Sequence, residues 1–251
     1  MKNLPSNIAL VLSLIVATLL SSCHDGYEKK DGQVYHKWFH GGNWTKEYTL
    51  IEEADAETFE TIDHNLNLDL AKDKNHVFKD AAVLENADPK TFVQVKNYFW
   101  KDKNHVFLIQ FGGTKCIIEL ADPSSFQVIE NYLWSIDRSH VFYKFDLLKG
   151  VNPKEFSAIN EEWGKDNHFY YWNNLRVDSL DYESAEIVSD YYILDSQHVY
   201  FKNVIVNGAN PKTFKADGVG WFGHDDKNMY DWAENKGPIT EKYRQTYIDK
   251  K

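Results

Sequence analysis

The chain has 251 residues, 43% of them hydrophobic and 15% aromatic, and a formal net charge of −10 at pH 7. It is long enough to bury a sizeable core in one domain or in one repeat array. So acidic a balance argues against nucleic acid or an anionic headgroup surface as a partner, and two cysteines exclude a disulfide framework.

The first element reads as an export signal. Lys2 supplies a positive start, and Ile8 to Leu20 is an apolar run broken only by Ser13 and Thr18. The run is shorter than the ~20 residues a helix needs to cross a bilayer. Leu20-Ser21-Ser22-Cys23 resembles a bacterial lipobox. That implies cleavage before Cys23 and lipid, palmitate among it, on the thiol and the new amino group. More than one acyl chain anchors a protein stably. The expected layout is a signal peptide at 1–22, a lipidated tether at 23–30, a repeat domain at 31–240 and a polar C-terminal tail at 241–251. The expected place is the bacterial cell envelope, on its periplasmic or surface face. If Cys23 carries lipid, Cys116 has no intrachain partner. Within Cys116-Ile117-Ile118 it reads as a buried, inert thiol.

Two elements then recur. Asp-Lys-Asn-His-Val-Phe occurs at Asp73 to Phe78 and again at Asp102 to Phe107. Looser copies are Asp137 to Phe142, Lys165 to Tyr170, Asp195 to Tyr200 and Asp225 to Tyr230, with a shortened one at Asp31 to Tyr35. The copies are spaced by about thirty residues, which marks a repeat array. The second element is Asp-Pro-Lys-Thr-Phe at Asp88 to Phe92, with relatives at Asp122 to Phe126, Asn152 to Phe156 and Asn210 to Phe214. Asp or Asn before Pro starts a helix by capping free N–H groups and presetting φ, so a single helical turn is expected there. Phe92 to Trp100, His105 to Phe111 and Cys116 to Leu120 are strand-like. The residues Asp102 to Asn104 then form a hairpin loop with Asn at a left-handed position. Across it Trp100 should face Phe107, Trp163 face Tyr170, and Ile193 face Tyr200. The fold class is all-β with short helical turns, a tandem array of β-hairpin units. Thirty residues are too few for a four-stranded propeller blade of about 40 to 45. An open solenoid or stacked meander is preferred to a closed ring, with stacking supplying the stability that one unit lacks.

The alternation of Asp-Lys-Asn-His-Val-Phe with Asp-Pro-Lys-Thr-Phe resembles the DKNYY family of bacterial proteins. The likeness spans roughly Asp31 to Tyr230. His stands where the family has its first aromatic in five copies. The resemblance implies an envelope protein and transfers no catalytic residue.

His76, His105, His140, His168 and His198 fall at one motif position and would form a column if the repeats stack. Imidazole ladders bind zinc or copper, but no paired His-x-His or Cys supports such a site, and half-buried structural rings are the plainer reading. His36 and His40 precede a Gly41-Gly42 loop, where a mobile insertion near the tether is the plainer reading and a metal or ligand site the alternative. Glu52-Glu53 and Glu161-Glu162 are adjacent pairs, not placed for acid–base work. Trp100, Trp134, Trp163 and Trp221 precede their turns at similar distances, as core fillers or as a sugar-stacking surface. No catalytic motif is present, so no enzyme, cofactor or metal is expected. The leading reading is a membrane-anchored lipoprotein that binds a protein partner. A glycan-binding module using the tryptophans is the alternative, and a metal-dependent enzyme a distant third.

Overall fold

The computed structural model of the protein describes residues 26–40, 45–62, 68–110, 116–129, 133–218 and 220–249. The signal run and the expected lipidation at Cys23 lie outside the described residues. Within them the chain is nearly all β, as its sequence leads one to expect. There are seven small antiparallel sheets, none closed into a barrel. Helix is confined to a 3-10 turn at Tyr182–Ser184 and to Glu241–Tyr243, which runs on as a π-turn at Arg244–Ile248.

Every sheet is a meander, each strand pairing with the next in sequence. The fullest examples are Gln127–Val128, Trp134–Ile136, Val141–Tyr143 and Asp146–Leu148, then Ser157–Ala158, Trp163–Lys165, Tyr170–Trp172 and Leu175–Arg176. Glu186–Ile187, Tyr192–Leu194, Val199–Phe201 and Val204–Ile205 follow, then Lys215–Asp217, Phe222–His224, Asn228–Asp231 and Glu234–Pro238. Earlier come Gly26–Lys30, Gln33–His40 and Thr45–Leu50, then Glu60–Thr61, Leu70–Lys72, Val77–Lys79 and Ala82–Val83. Val93–Lys96, Phe99–Lys101 and Val106–Leu108 make a three-stranded sheet. The described residues divide into two compact units, one of 26–94 with 100–105 and 109–110, the other of 95–99 and 106–108 with 116–249.

Inner strands of three residues cannot bury a core alone, so successive repeats share one. In the second unit Trp134, Val141 and Tyr143 of one repeat pack with Tyr171 of the next. Tyr192, Val199 and Phe201 likewise pack with Phe214 and Tyr230. The indole Nε1 groups of Trp134 and Trp163 donate to the carbonyls of Asn160 and Ser189, each at 3.1 Å and each in the following repeat. In two repeats a glycine of the inner strand makes room for the turn aromatic. A Cβ on Gly164 would lie 2.3 Å from Phe156, and one on Gly223 would lie 2.4 Å from Phe214. Where the turn carries Ala185 instead, the inner strand carries buried Ile193.

The structure corrects several local expectations. The stretch Phe92 to Trp100 is two strands, not one, because Asn97 turns the chain at φ 50°. The Asp-Pro turns are single hydrogen-bonded turns, tightening into a 3-10 helix only at Tyr182–Ser184. Asn104 is not left-handed; positive φ falls instead on the other hairpin of five repeats, at Asp80, Lys144, Asn173, Lys202 and Trp232. Trp163 faces Trp172 rather than Tyr170, whereas Ile193 does face Tyr200. Gly26–Lys30, placed in the tether by sequence, pairs with Gln33–His40. In the tail, Tyr243 is buried and its hydroxyl donates to Asp217 at 2.8 Å.

Candidate functional site

Each repeat has two hairpin edges, and the recurring motif makes the first. Asp195 is typical. It is 3% exposed, yet its carboxylate is fully bonded. One oxygen accepts the N–H groups of Gln197 and His198, both at 2.7 Å, and the other accepts the Asp181 N–H at 3.0 Å and the Tyr200 hydroxyl at 3.1 Å. Asp73, Asp102, Asp137 and Asp225 repeat the three backbone bonds, reaching the N–H of Asp55, Asp88, Asp122 and Asn210. Asp166 keeps the two local bonds and takes the Tyr171 hydroxyl at 2.7 Å. Burial alone would raise the carboxyl pKa of Asp137, Asp195 and Asp225. The N–H bonds outweigh it and hold all three below the ordinary value. The motif aspartate therefore locks its hairpin to the Asp-Pro turn. A buried carboxylate that accepts three or four hydrogen bonds from its own turn and its neighbours is held as scaffold.

The histidines belong to this scaffold. His76, His105, His140 and His198 occupy one position, with side chains between 36% and 45% exposed and Nδ1 3.1–3.9 Å from their own motif aspartates. His168 does not belong with them. Counted from Asp166, it lies one residue early, and Phe169 holds the position. Their rings rest against the aromatic two residues on, as His76 does on Phe78 at 5.8 Å and His140 on Phe142 at 5.8 Å. The only group of three metal-ligating side chains among the described residues is elsewhere, at His36, Asp69 and Asp80. Nothing is described of the His40 side chain.

The tryptophan surface expected from sequence is also relocated. Trp134 and Trp163 are fully buried with bonded indoles, and Trp100 is 4% exposed and stacked on Phe92. Core rings cannot stack on a sugar, and of that quartet only Trp221 is exposed. Glu52-Glu53 and Glu161-Glu162 lie in turns and bends, not strands. Cys116 is half-buried rather than buried.

The second edge is where repeats differ. It is built by the residues four before and seven after the motif aspartate, joined by a backbone bond from the later N–H to the earlier carbonyl. The pairs are Asp69/Asp80, Leu133/Lys144, Glu162/Asn173, Tyr191/Lys202 and Trp221/Trp232. The later member always has φ between 53° and 59°, a conformation that Asn or Asp adopts cheaply and a bulky side chain does not. Lys202 and Trp232 adopt it nonetheless, and they gather an aromatic face. The Lys202 ammonium lies 4.3 Å from the Trp172 ring centre, 5.3 Å from Phe201, 5.6 Å from Trp232 and 5.9 Å from Tyr191. Phe201 and Trp232 stack at 5.8 Å, and Tyr191 meets Trp221 edge-on at 6.1 Å. Trp221 is 43% and Trp232 56% exposed. A shallow cleft beside them is lined by Asp231, Trp232, Ala233 and Glu234. Among the described residues Lys202 has no carboxylate partner. Sequence reading weighed only tryptophans before the motif turn and so missed Trp172, Lys202 and Trp232. An offset of seven from the motif aspartate was the available signal for Lys202 and Trp232, while Trp172 lies at an offset of six.

No helix among the described residues is long and apolar enough to cross a membrane. The family model named DKNYY family matches residues 5–111 and again 109–235. No curated protein and no solved structure matches the chain.

Proposed function

The chain belongs to the DKNYY family, and on that premise we propose that it is a lipid-anchored, non-catalytic protein of the bacterial cell envelope. Its repeat array would present the aromatic face around Lys202 to a protein partner. The observation that carries this reading is that face. Exposed Trp221 and Trp232 with half-buried Trp172 and Tyr191 have the aromatic composition of binding hot spots, and among the described residues the Lys202 ammonium in their midst has no carboxylate partner. The anchor rests on the apolar run and on Cys23. A photo-crosslinking residue in place of Trp232 should capture one defined protein in native membranes. The same residue in place of Lys212, exposed on an Asp-Pro-type turn, should not. Equal labelling from both positions would sink the reading. The anchor is tested separately, since wild type should fractionate with membranes and Cys23→Ala should not.

A second reading has an observation of its own. Exposed indoles beside the carboxylates of Asp231 and Glu234 suit sugar stacking with hydroxyl recognition. Binding of defined envelope oligosaccharides, lost in Trp221→Ala and Trp232→Ala, would favour it over the protein partner.

A further inference from the structure

We propose that His36, Asp69 and Asp80 form a binding site for a divalent transition metal, with zinc the ion best matched to the donors. The site is independent of the aromatic face. It begins with His36, in the middle of Gln33–His40 and paired with Tyr27 on one side and Thr49 on the other. The residue is 8% exposed, and its ring packs on Tyr27 at 5.5 Å. Asp69 and Asp80 flank the hairpin Leu70–Lys72 and Val77–Lys79, where Asp80 N–H donates to the Asp69 carbonyl at 2.9 Å. His36 Nε2 lies 3.0 Å from Asp69 Oδ2, and one donor atom from each of the three residues falls within 4.8 Å of the others.

That convergence is not something the fold demands. The same two backbone positions carry Leu133/Lys144, Glu162/Asn173, Tyr191/Lys202 and Trp221/Trp232 in other repeats. The turn therefore does not need carboxylates. A facing pair of them costs like-charge repulsion, which Lys79 offsets only in part through its 2.9 Å bond to Asp80 Oδ2. That bond leaves the second oxygen of Asp80 for another cation. The phenol of Tyr27 donates to the Asp69 carbonyl and, with its ring against His36, covers one side of the cluster. One imidazole and two carboxylates suit zinc at about 2.0–2.2 Å per bond, which places neighbouring donors roughly 3.3 Å apart. The His36–Asp69 pair is already near that spacing. The Asp80 side chain is 51% exposed, so a fourth position opens to solvent and water completes the shell, as in exchangeable rather than closed sites.

The test is zinc binding to the detergent-solubilised full chain after chelator treatment, followed by equilibrium dialysis and thermal melting. One zinc per chain is expected, with a melting midpoint that climbs with free zinc. X-ray absorption should report one imidazole among oxygen ligands. Asp80→Asn, at an exposed side chain, should fold as wild type and weaken binding at least ten-fold. His36→Gln should abolish it, while His140→Gln in the motif turn should leave it unchanged. No zinc above the level of a chelated control would overturn the proposal. So would full affinity in Asp80→Asn, or equal loss in His140→Gln. If His36→Gln does not fold, the Asp80→Asn result decides.

Discussion

The two hairpin edges of a repeat differ in backbone, the second alone carrying a left-handed residue, and they differ more in how they use their side chains. On the motif edge, Asp73, Asp102, Asp137, Asp166, Asp195 and Asp225 are all buried, and every one accepts hydrogen bonds from its own turn. On the opposite edge the equivalent pairs run from Asp69/Asp80 to Trp221/Trp232 without a common chemistry. Regular recurrence marks the edge that builds the fold. Irregularity on an equally regular backbone marks the edge where side chains are free to serve a ligand.

The comparison breaks most visibly if the motif edge is touched. Asp195→Ala strips acceptors from three backbone N–H groups and the Tyr200 hydroxyl, and should destabilise the protein by about 3 kcal/mol or more, read from urea midpoints. A change within error of wild type would end the claim that the aspartate is the lock. Next comes the packing beneath the turn. Gly164→Val meets Phe156 at close range and should cost about 2 kcal/mol. Gly164→Ile combined with Phe156→Ala, which copies the Ile193 and Ala185 arrangement, should recover part of that loss. No recovery would show that the size match is incidental.

A pH series sharpens the contrast further. Asp137, Asp195 and Asp225 have folded pKa values below the unfolded carboxyl value of about 3.9. Their contribution is complete above that value and is lost as pH falls through the lower folded pKa. Wild type should therefore lose stability between pH 5 and pH 3. Asp195→Asn, already weaker at pH 5, should lose less stability than wild type over that interval. Identical slopes would mean that Asp195 titrates alike in both states. The smallest effect belongs to the variable edge. Trp232→Asn gives up ring stacking but suits the left-handed turn, and melting should place it within about 1 kcal/mol of wild type. A large destabilisation there would make the aromatic face part of the core.

The repeat and its β character were legible because turn formers and strand formers each have local reasons for their positions. Asp before a hairpin and Asp or Asn before Pro can be read one residue at a time. That the motif is scaffold could also be read from its composition. The spacing of Trp134, Trp163 and Trp221 could not tell core from surface, because burial depends on what the next repeat lays over each ring. His168 was misplaced because a hydrogen-bonded turn is counted from its aspartate, and the motif there begins at Asp166 rather than Lys165.

The sequence by itself determined the chain's thirty-residue period, its all-β class and the places of its two kinds of turn. All of these follow from propensities acting within a few residues. Only the tertiary structure decided which edge varies, brought Lys202 among Trp172, Tyr191 and Trp232, and set His36 against Asp69, 33 residues away. Such meetings depend on how separate strands are laid side by side, and no local preference encodes the distance between side chains that far apart in the chain.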